Sequence, residues 1–300
     1  MSIRFSAFAT SLLLSGLAVA ACNDPTGLYQ RPLDAPLLVS TSYGQRTSVA
    51  VMNADWSGFE EILIEYAAPV LLAWAPDYKR LAMARSVGYG FAIWSIDIDG
   101  TDRRTVVDQP HWGATTGISW SPHGRTIVFG SCHFELSAPC GIFTAPALGG
   151  EIDTLLLSPR HPVNPRWSPD GRTIAFVQDS GDGMGLYAMN ADGSGVREIL
   201  TTPYELGAPA WSPDGERIAF VSDQAGPYDI WTVRADGSDA RRLTDATGYY
   251  DSTPQWSPDG KSIAFIRSFF PDPPHVMFVS DTGGEPRQVE SPMYPSSLAW

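Results

Sequence analysis

The chain has 300 residues, with 20 basic and 33 acidic side chains and a net charge of −13. That length suits one large domain or two ordinary ones. No Lys/Arg cluster is present to track phosphates, so no nucleic acid partner is expected; the acidic balance suits cationic ligands or basic protein surfaces, or serves solubility alone.

In chain order, residues 1–21 read as an export signal: Arg4 supplies positive charge, Phe5 to Val19 is apolar, and Ala18, Ala20 and Ala21 are small residues near a cleavage point. Val19-Ala20-Ala21-Cys22 has the form of a bacterial lipobox, in which Cys22 is lipidated and becomes the acylated N-terminus. An ordinary secretory signal followed by an incidental cysteine is the alternative. Residues 22–36, with Pro25, Gly27, Pro32 and Pro36 and no apolar periodicity, read as a tether between lipid and domain. No later stretch is apolar for long enough to span a bilayer. The expected location is the cell envelope, facing the periplasm or the cell surface. Asn23, where an Asp would signal inner-membrane retention in some Gram-negative bacteria, favours the outer membrane.

From Leu37 onward the chain is periodic. Trp74, Trp120, Trp167, Trp211, Trp256 and Trp300 recur at spacings of 46, 47, 44, 45 and 44 residues. Three of them open Trp-Ser-Pro-Asp-Gly followed by Ile-Ala-Phe: Ile174 to Phe176, Ile218 to Phe220 and Ile263 to Phe265. A repeat of this length built from short strands predicts propeller blades. The unit from Ala208 to Thr244 divides into strands at Pro209 to Ser212, Arg217 to Ser222, Asp229 to Arg234 and Ala240 to Leu243. In its first turn Pro213 presets φ, Asp214 bonds backbone amides and Gly215 accepts positive φ. Asp236-Gly237, Asp192-Gly193 and Asp99-Gly100 read as hairpin turns. Tyr78 stands where this turn wants glycine, which predicts a different or costlier turn there. Cys132 and Cys140 interrupt one repeat eight positions apart, and in an oxidising compartment a disulfide between them is the natural expectation, with two free thiols as the alternative.

Counting strands gives five continuous blades beginning near Leu72, Ile118, Pro165, Pro209 and Pro254. Residues 53–63 align without gaps on 190–200 and supply the second half of a blade, whose second strand is Leu37 to Ser40 and whose first is Ser296 to Trp300. The expectation is an all-β, six-bladed β-propeller of four-stranded antiparallel blades over residues 37–300, its ring closed by a blade split between the N- and C-termini, and monomeric. A fragment of a longer product, stopping where the next turn would start, is the competing expectation.

The Trp-Ser-Pro-Asp-Gly, Ile-Ala-Phe and Asp-Gly pattern resembles the repeats of TolB-like propellers, related to those of prolyl-oligopeptidase-type peptidases. The resemblance covers about Leu37 to Trp300 and implies the propeller fold. Function does not follow from fold.

No Gly-x-Ser-x-Gly elbow, His-Glu-x-x-His, Cys-x-x-Cys or phosphate-binding glycine loop occurs. No catalytic residue and no cofactor is expected. Segments joining the last strand of one blade to the first of the next gather at one end of the channel, and they carry His111, Trp112, His161, Tyr204, Glu205, Tyr249, Tyr250, Asp251 and Tyr294. Converging aromatic and charged side chains suit capture of a protein, peptide or glycan of the envelope, although aromatics can equally pack between blades. The leading expectation is therefore a lipid-anchored, non-catalytic binding or scaffold module. Some TolB-like propellers resemble lyases that cut acidic sugars with metal-bound histidines near the channel, so the alternative is a metal-dependent saccharide-active enzyme with His111 and His161 as ligands.

Overall fold

A computed structural model describes residues 37–43, 46–52, 59–65, 71–87, 90–109, 112–133, 139–269, 271–289 and 295–299. The export signal, Cys22 and the tether, His111, Tyr294 and Trp300 lie outside the described residues.

The chain opens with β1 (Leu37–Tyr43), β2 (Arg46–Met52) and β3 (Phe59–Glu65), and then builds sheets of four strands consecutive in sequence. The first holds β4 (Leu71–Trp74), β5 (Arg80–Val87), β6 (Gly90–Asp97) and β7 (Arg104–Gln109). The second holds β8 (Trp112–Trp120), β9 (Thr126–His133), β10 (Cys140–Pro146) and β11 (Asp153–Ser158). The third holds β12 (Val163–Trp167), β13 (Thr173–Asp179), β14 (Met184–Asn190) and β15 (Arg197–Thr202). The fourth holds β16 (Leu206–Trp211), β17 (Arg217–Ser222), β18 (Asp229–Arg234) and β19 (Arg241–Arg242). The fifth holds β20 (Tyr250–Trp256), β21 (Ser262–Phe269), β22 (Asp272–Ser280) and β23 (Arg287–Gln288). A composite sheet has the order β24-β1-β2-β3, with β24 (Pro295–Ala299) antiparallel to β1. The fold is an all-β propeller of four-stranded antiparallel blades. Consecutive strands make five blades where the sequence predicts six.

Continuous apolar runs form the second and third strands because neighbouring sheets cover both of their faces. Ile174 to Val177, Ile218 to Phe220 and Ile263 to Phe265 are almost wholly excluded from solvent. Each hydrophobic cluster joins two sheets. Phe91 and Ile93 of the first blade pack with Phe129 and Phe143 of the second. Val128 and Ile142 meet Phe176 and Met189; Ala175 and Leu186 meet Ile218 and Phe220; Val221 and Ile230 meet Ile263 and Phe265. At the composite sheet, Leu37 and Leu298 pack with Ile266 and Val276 of the fifth blade. Val49 and Ala299 pack with Trp74 and Leu81 of the first.

The repeating tryptophans link blades by hydrogen bonds as well as by area. Trp120 Nε1 donates to the Ala73 carbonyl at 3.1 Å, Trp211 Nε1 to Arg166 at 3.2 Å and Trp256 Nε1 to Ala210 at 3.1 Å. Each acceptor immediately precedes the tryptophan of the preceding blade. Trp167 departs from the pattern. Its backbone amide donates to Ser119 Oγ, and Arg166 Nη1 reaches the Ile118 carbonyl at 2.6 Å.

In the Ser-Pro-Asp-Gly turn the serine hydroxyl caps the start of the second strand: Ser168 Oγ accepts from the Thr173 amide, Ser212 Oγ from the Arg217 amide and Ser257 Oγ from the Ser262 amide. Tyr78 adopts the same turn as its glycine counterparts. Its φ is 56°, against 72° for Gly215, and its amide reaches the Ala75 carbonyl at 2.9 Å. The expected difference is thus one of cost and not of shape: a non-glycine residue pays about 1–2 kcal/mol in this region. Edge-on packing of its ring on Trp74 at 5.7 Å offsets part of it.

Candidate ligand-binding face

Strand direction decides what can converge. With every pairing antiparallel, the hairpin between second and third strands lies at the same end of a blade as the linker to the next one; the Ser-Pro-Asp-Gly turns lie at the other. The linker end therefore displays two loops from each blade.

The sequence-predicted rim residues separate into groups there. Tyr204, Tyr249 and Tyr250 are exposed, at 46%, 42% and 56%. Tyr249 packs on Phe269 with ring centroids 5.3 Å apart, and Tyr250 on Tyr228 at 6.4 Å. The Glu205 amide donates to Asp223 Oδ1 at 2.9 Å. Burial raises the Tyr228 hydroxyl pKa, and the nearby carboxylates of Asp223 and Glu205 raise it further. These residues form an aromatic, acidic patch across the linkers that enter and leave the fourth blade.

Asp251 belongs to the foundation of this patch and not to its surface. It has no exposed area, and its carboxylate accepts from Arg267 Nε at 2.7 Å and Nη2 at 2.8 Å. That bidentate pairing raises the Arg267 pKa, and the guanidinium lies 5.4 Å from the Tyr249 ring centroid. Beside it, Asp229 is also fully buried, accepts the Ala246 amide at 2.7 Å and lies 2.8 Å from Arg242 Nη2. Burial raises the Asp229 pKa, and the Asp251 charge adds to that rise against the pull of the amide and Arg242.

Two further placements correct the sequence reading. Trp112, Tyr250 and Asp251 lie in strands and not in linkers, because β8 and β20 begin earlier than expected. Trp112 is half-buried against Phe143, ring centroids 4.7 Å apart, and against Phe91 at 6.5 Å, so it packs between the first two blades. His161 is exposed but separate from the aromatic patch: its Nδ1 lies 2.9 Å from Cys140 Sγ, and Cys140 is disulfide-bonded to Cys132. Phe269, Tyr228 and Arg267 were missed by the sequence reading, which followed the linkers alone. Strand direction was the available signal, since it sends the second-to-third hairpins to the same end.

At the opposite end of the channel, Trp74, Trp120, Trp167, Trp211 and Trp256 line a cavity of about 90 Å³ with Pro76, Pro122, Pro169 and Pro213. Arg166 faces this space, and burial lowers its pKa to about 10. The periodic tryptophans thus face the channel as well as packing blades.

The TolB beta propeller domain family model matches residues 149–268. Among solved structures, TolB from Acinetobacter baumannii aligns with a TM-score of 0.75 and 17% identity over 89% of this chain and 66% of its own, so this chain spans just under two thirds of that protein. The putative TolB from Agrobacterium tumefaciens aligns at TM-score 0.71 and 21% identity, over 86% of this chain and 91% of that one. An oligogalacturonate lyase in complex with manganese aligns at 0.55 and 14%, over 84% and 72%; that likeness is one of fold alone. The match to the TolB beta propeller domain model is confined to residues 149–268; the same four-stranded blades continue on both sides of it, and the likeness of the whole chain to the TolB structures is one of propeller fold.

Proposed function

We propose that this propeller is a non-catalytic binding module whose linker end captures a protein or peptide partner of the cell envelope through the patch of Tyr204, Glu205, Tyr228, Tyr249, Tyr250 and Phe269. The observation that carries this is the exposed Tyr249–Phe269 pair resting on a buried, bidentate Arg267–Asp251 pair. Rigid aromatic rings on a fixed base contribute contact area at low entropic cost, which is where binding energy concentrates. The acidic neighbours Glu205 and Asp223 favour a partner that brings Lys or Arg to these rings. The test compares capture from envelope extract by wild type and by Tyr249→Ala/Phe269→Ala. One stoichiometric partner, lost in the double variant while the unfolding curve stays in place, supports the reading. A partner retained at full affinity overturns it.

Two parts of the proposal concern how the module is held. The composite sheet is read as a sixth blade that closes the ring, supported by its packing against both the fifth and the first blade. Trp74 shares that cluster with Ala299, although its buried indole Nε1 has no hydrogen-bond partner among the described residues, unlike Trp120, Trp211 and Trp256. Anchoring through a lipidated Cys22, with an envelope location, rests on the lipobox sequence, and a labelled fatty acid that enters wild type but not Cys22→Ser tests it.

A further inference from the structure

Apart from the aromatic patch, the linker end holds a second cluster. Cys132 is the last residue but one of β9, the second strand of its blade, Cys140 opens β10, the third, and the register Gly141 to Ser131 sets the two cysteines opposite each other. His161 comes from the linker that follows the same blade's fourth strand, two residues before β12. Its φ of 51° is rare for a side-chain-bearing residue, a kind of strain that clusters at functional sites. Both cysteine sulfurs and one nitrogen of His161 lie within 4.8 Å of one another, and this is the one such trio of potential ligands among the described residues. Cys140 is buried, Cys132 half-buried and His161 exposed, so the cluster is held from below and open from above.

We infer that Cys132, Cys140 and His161 form a redox-gated site for a zinc-class divalent metal ion, closed to metal as the disulfide and opened by a dithiol reductant. In the opening step the dithiol is oxidised to its own disulfide. Its two electrons and two protons break the Cys132–Cys140 bond and leave two thiols. The sulfurs then part to about 3.8 Å, the separation of two thiolates around a tetrahedral ion with metal–sulfur bonds of about 2.3 Å. Metal binding releases the thiol protons to solvent. Two thiolates and an imidazole match zinc and cobalt and disfavour calcium or magnesium, which require oxygen ligands. Three protein ligands leave the fourth position for water on the exposed side.

Cobalt titration tests this, because thiolate ligation gives an intense near-ultraviolet charge-transfer band and tetrahedral geometry gives visible bands. The folded domain is reduced with a phosphine, freed of reductant without air, and titrated with Co²⁺. Expected are one cobalt per chain with both signatures, displacement by Zn²⁺, and no bands for the oxidised protein. Cys132→Ser should abolish the charge-transfer signature of the pair. His161→Ala should weaken binding at least about tenfold, since even outer-shell partners of metal ligands are worth 10–100-fold. Circular dichroism on each sample establishes that the propeller stays folded. Equal cobalt affinity in His161→Ala, no charge-transfer band in the reduced wild type, or loss of the fold on reduction each overturns the inference.

Discussion

Replacing Arg267 with Ala is the sharpest test of the buried base beneath the aromatic patch. Asp251 has no exposed surface, and Arg267 satisfies both of its carboxylate oxygens from a side chain that is itself only 14% exposed. Removing the guanidinium leaves a buried carboxylate unpaired, which costs about 3–5 kcal/mol, a large share of a stability of about 5–15 kcal/mol. Arg267 also lies in the field of Asp229, whose own guanidinium partner is Arg242, so the middle of that range, about 4 kcal/mol, is the expected loss. With a urea slope of about 3 kcal/mol/M, a loss of about 4 kcal/mol lowers the unfolding midpoint by about 1.3 M. Tryptophan fluorescence during urea unfolding reads this directly. Arg267→Lys keeps the charge without the two-point geometry and should fall between wild type and Ala. Removing both charges with Asp251→Asn/Arg267→Met should recover most of the loss. A midpoint shift below about 0.3 M for Arg267→Ala, about 1 kcal/mol, would refute the premise that Asp251 is cut off from solvent.

Asp229→Asn should behave in the opposite way. Its folded pKa is raised by burial, so its stabilising contribution is full below the unfolded value of 3.8 and lost as pH rises through the folded value; the neutral Asn should match or exceed wild-type stability at pH 7, with the gap shrinking toward pH 4, read by thermal melts across that range. The exposed turn residues Asp99, Asp192 and Asp236 carry the reverse sign: hydroxyl and amide donors from Thr101, Ser194 and Ser238 hold their pKa values down. Their contribution is present above 3.8 and lost as pH falls through the lowered values, so Ser194→Ala should flatten acid unfolding only below about pH 4. Trp256→Phe leaves the Ala210 carbonyl without its donor and should cost about 1–3 kcal/mol, and Trp256→Ala about 3–5 kcal/mol, both measured by urea unfolding. Deleting residues 295–300 removes β24, exposes the β1 edge and should lower the melting temperature of the whole domain in one transition; an unchanged melt would sink the closing-blade proposal.

The blades were legible because their signals are local. Ser-Pro-Asp-Gly encodes a turn and a strand cap in four consecutive residues, and unbroken apolar runs mark strands covered on both faces. β17 and β18 fall at the residues the sequence indicates. First strands were misplaced for a physical reason. Asn164, Ala208 and Thr253, each just before a proline, take φ of 55°, 48° and 50°, and the pairing register shifts at each. A residue before proline ordinarily reads as extended, and a bulge there breaks the alternation that would carry the strand back to Leu206 or Tyr250. The start of the strand is fixed by pairing with its neighbour, which leaves no mark in its own sequence.

The binding face was only half legible, for a related reason. Composition finds Tyr249 and Tyr250, because adjacent aromatics at the junction of a linker and β20 stand out against their polar neighbours. It does not separate Tyr250 from Asp251, adjacent residues with opposite fates: in a strand, successive side chains point to opposite faces, so the tyrosine rises to solvent at 56% exposure while the aspartate goes beneath it at 0%. Nor does it connect Asp251 to Arg267, sixteen positions away on the partner strand, although the two sit directly opposite in the β20–β21 register. That pairing turns loop aromatics into a platform: Arg267 neutralises the buried carboxylate on one side and supports the Tyr249 ring on the other. If binding depends on the platform, Arg267→Lys should weaken partner capture by more than its loss of stability explains, because a lysine preserves charge but cannot hold Asp251 at two points while lying flat against an aromatic face.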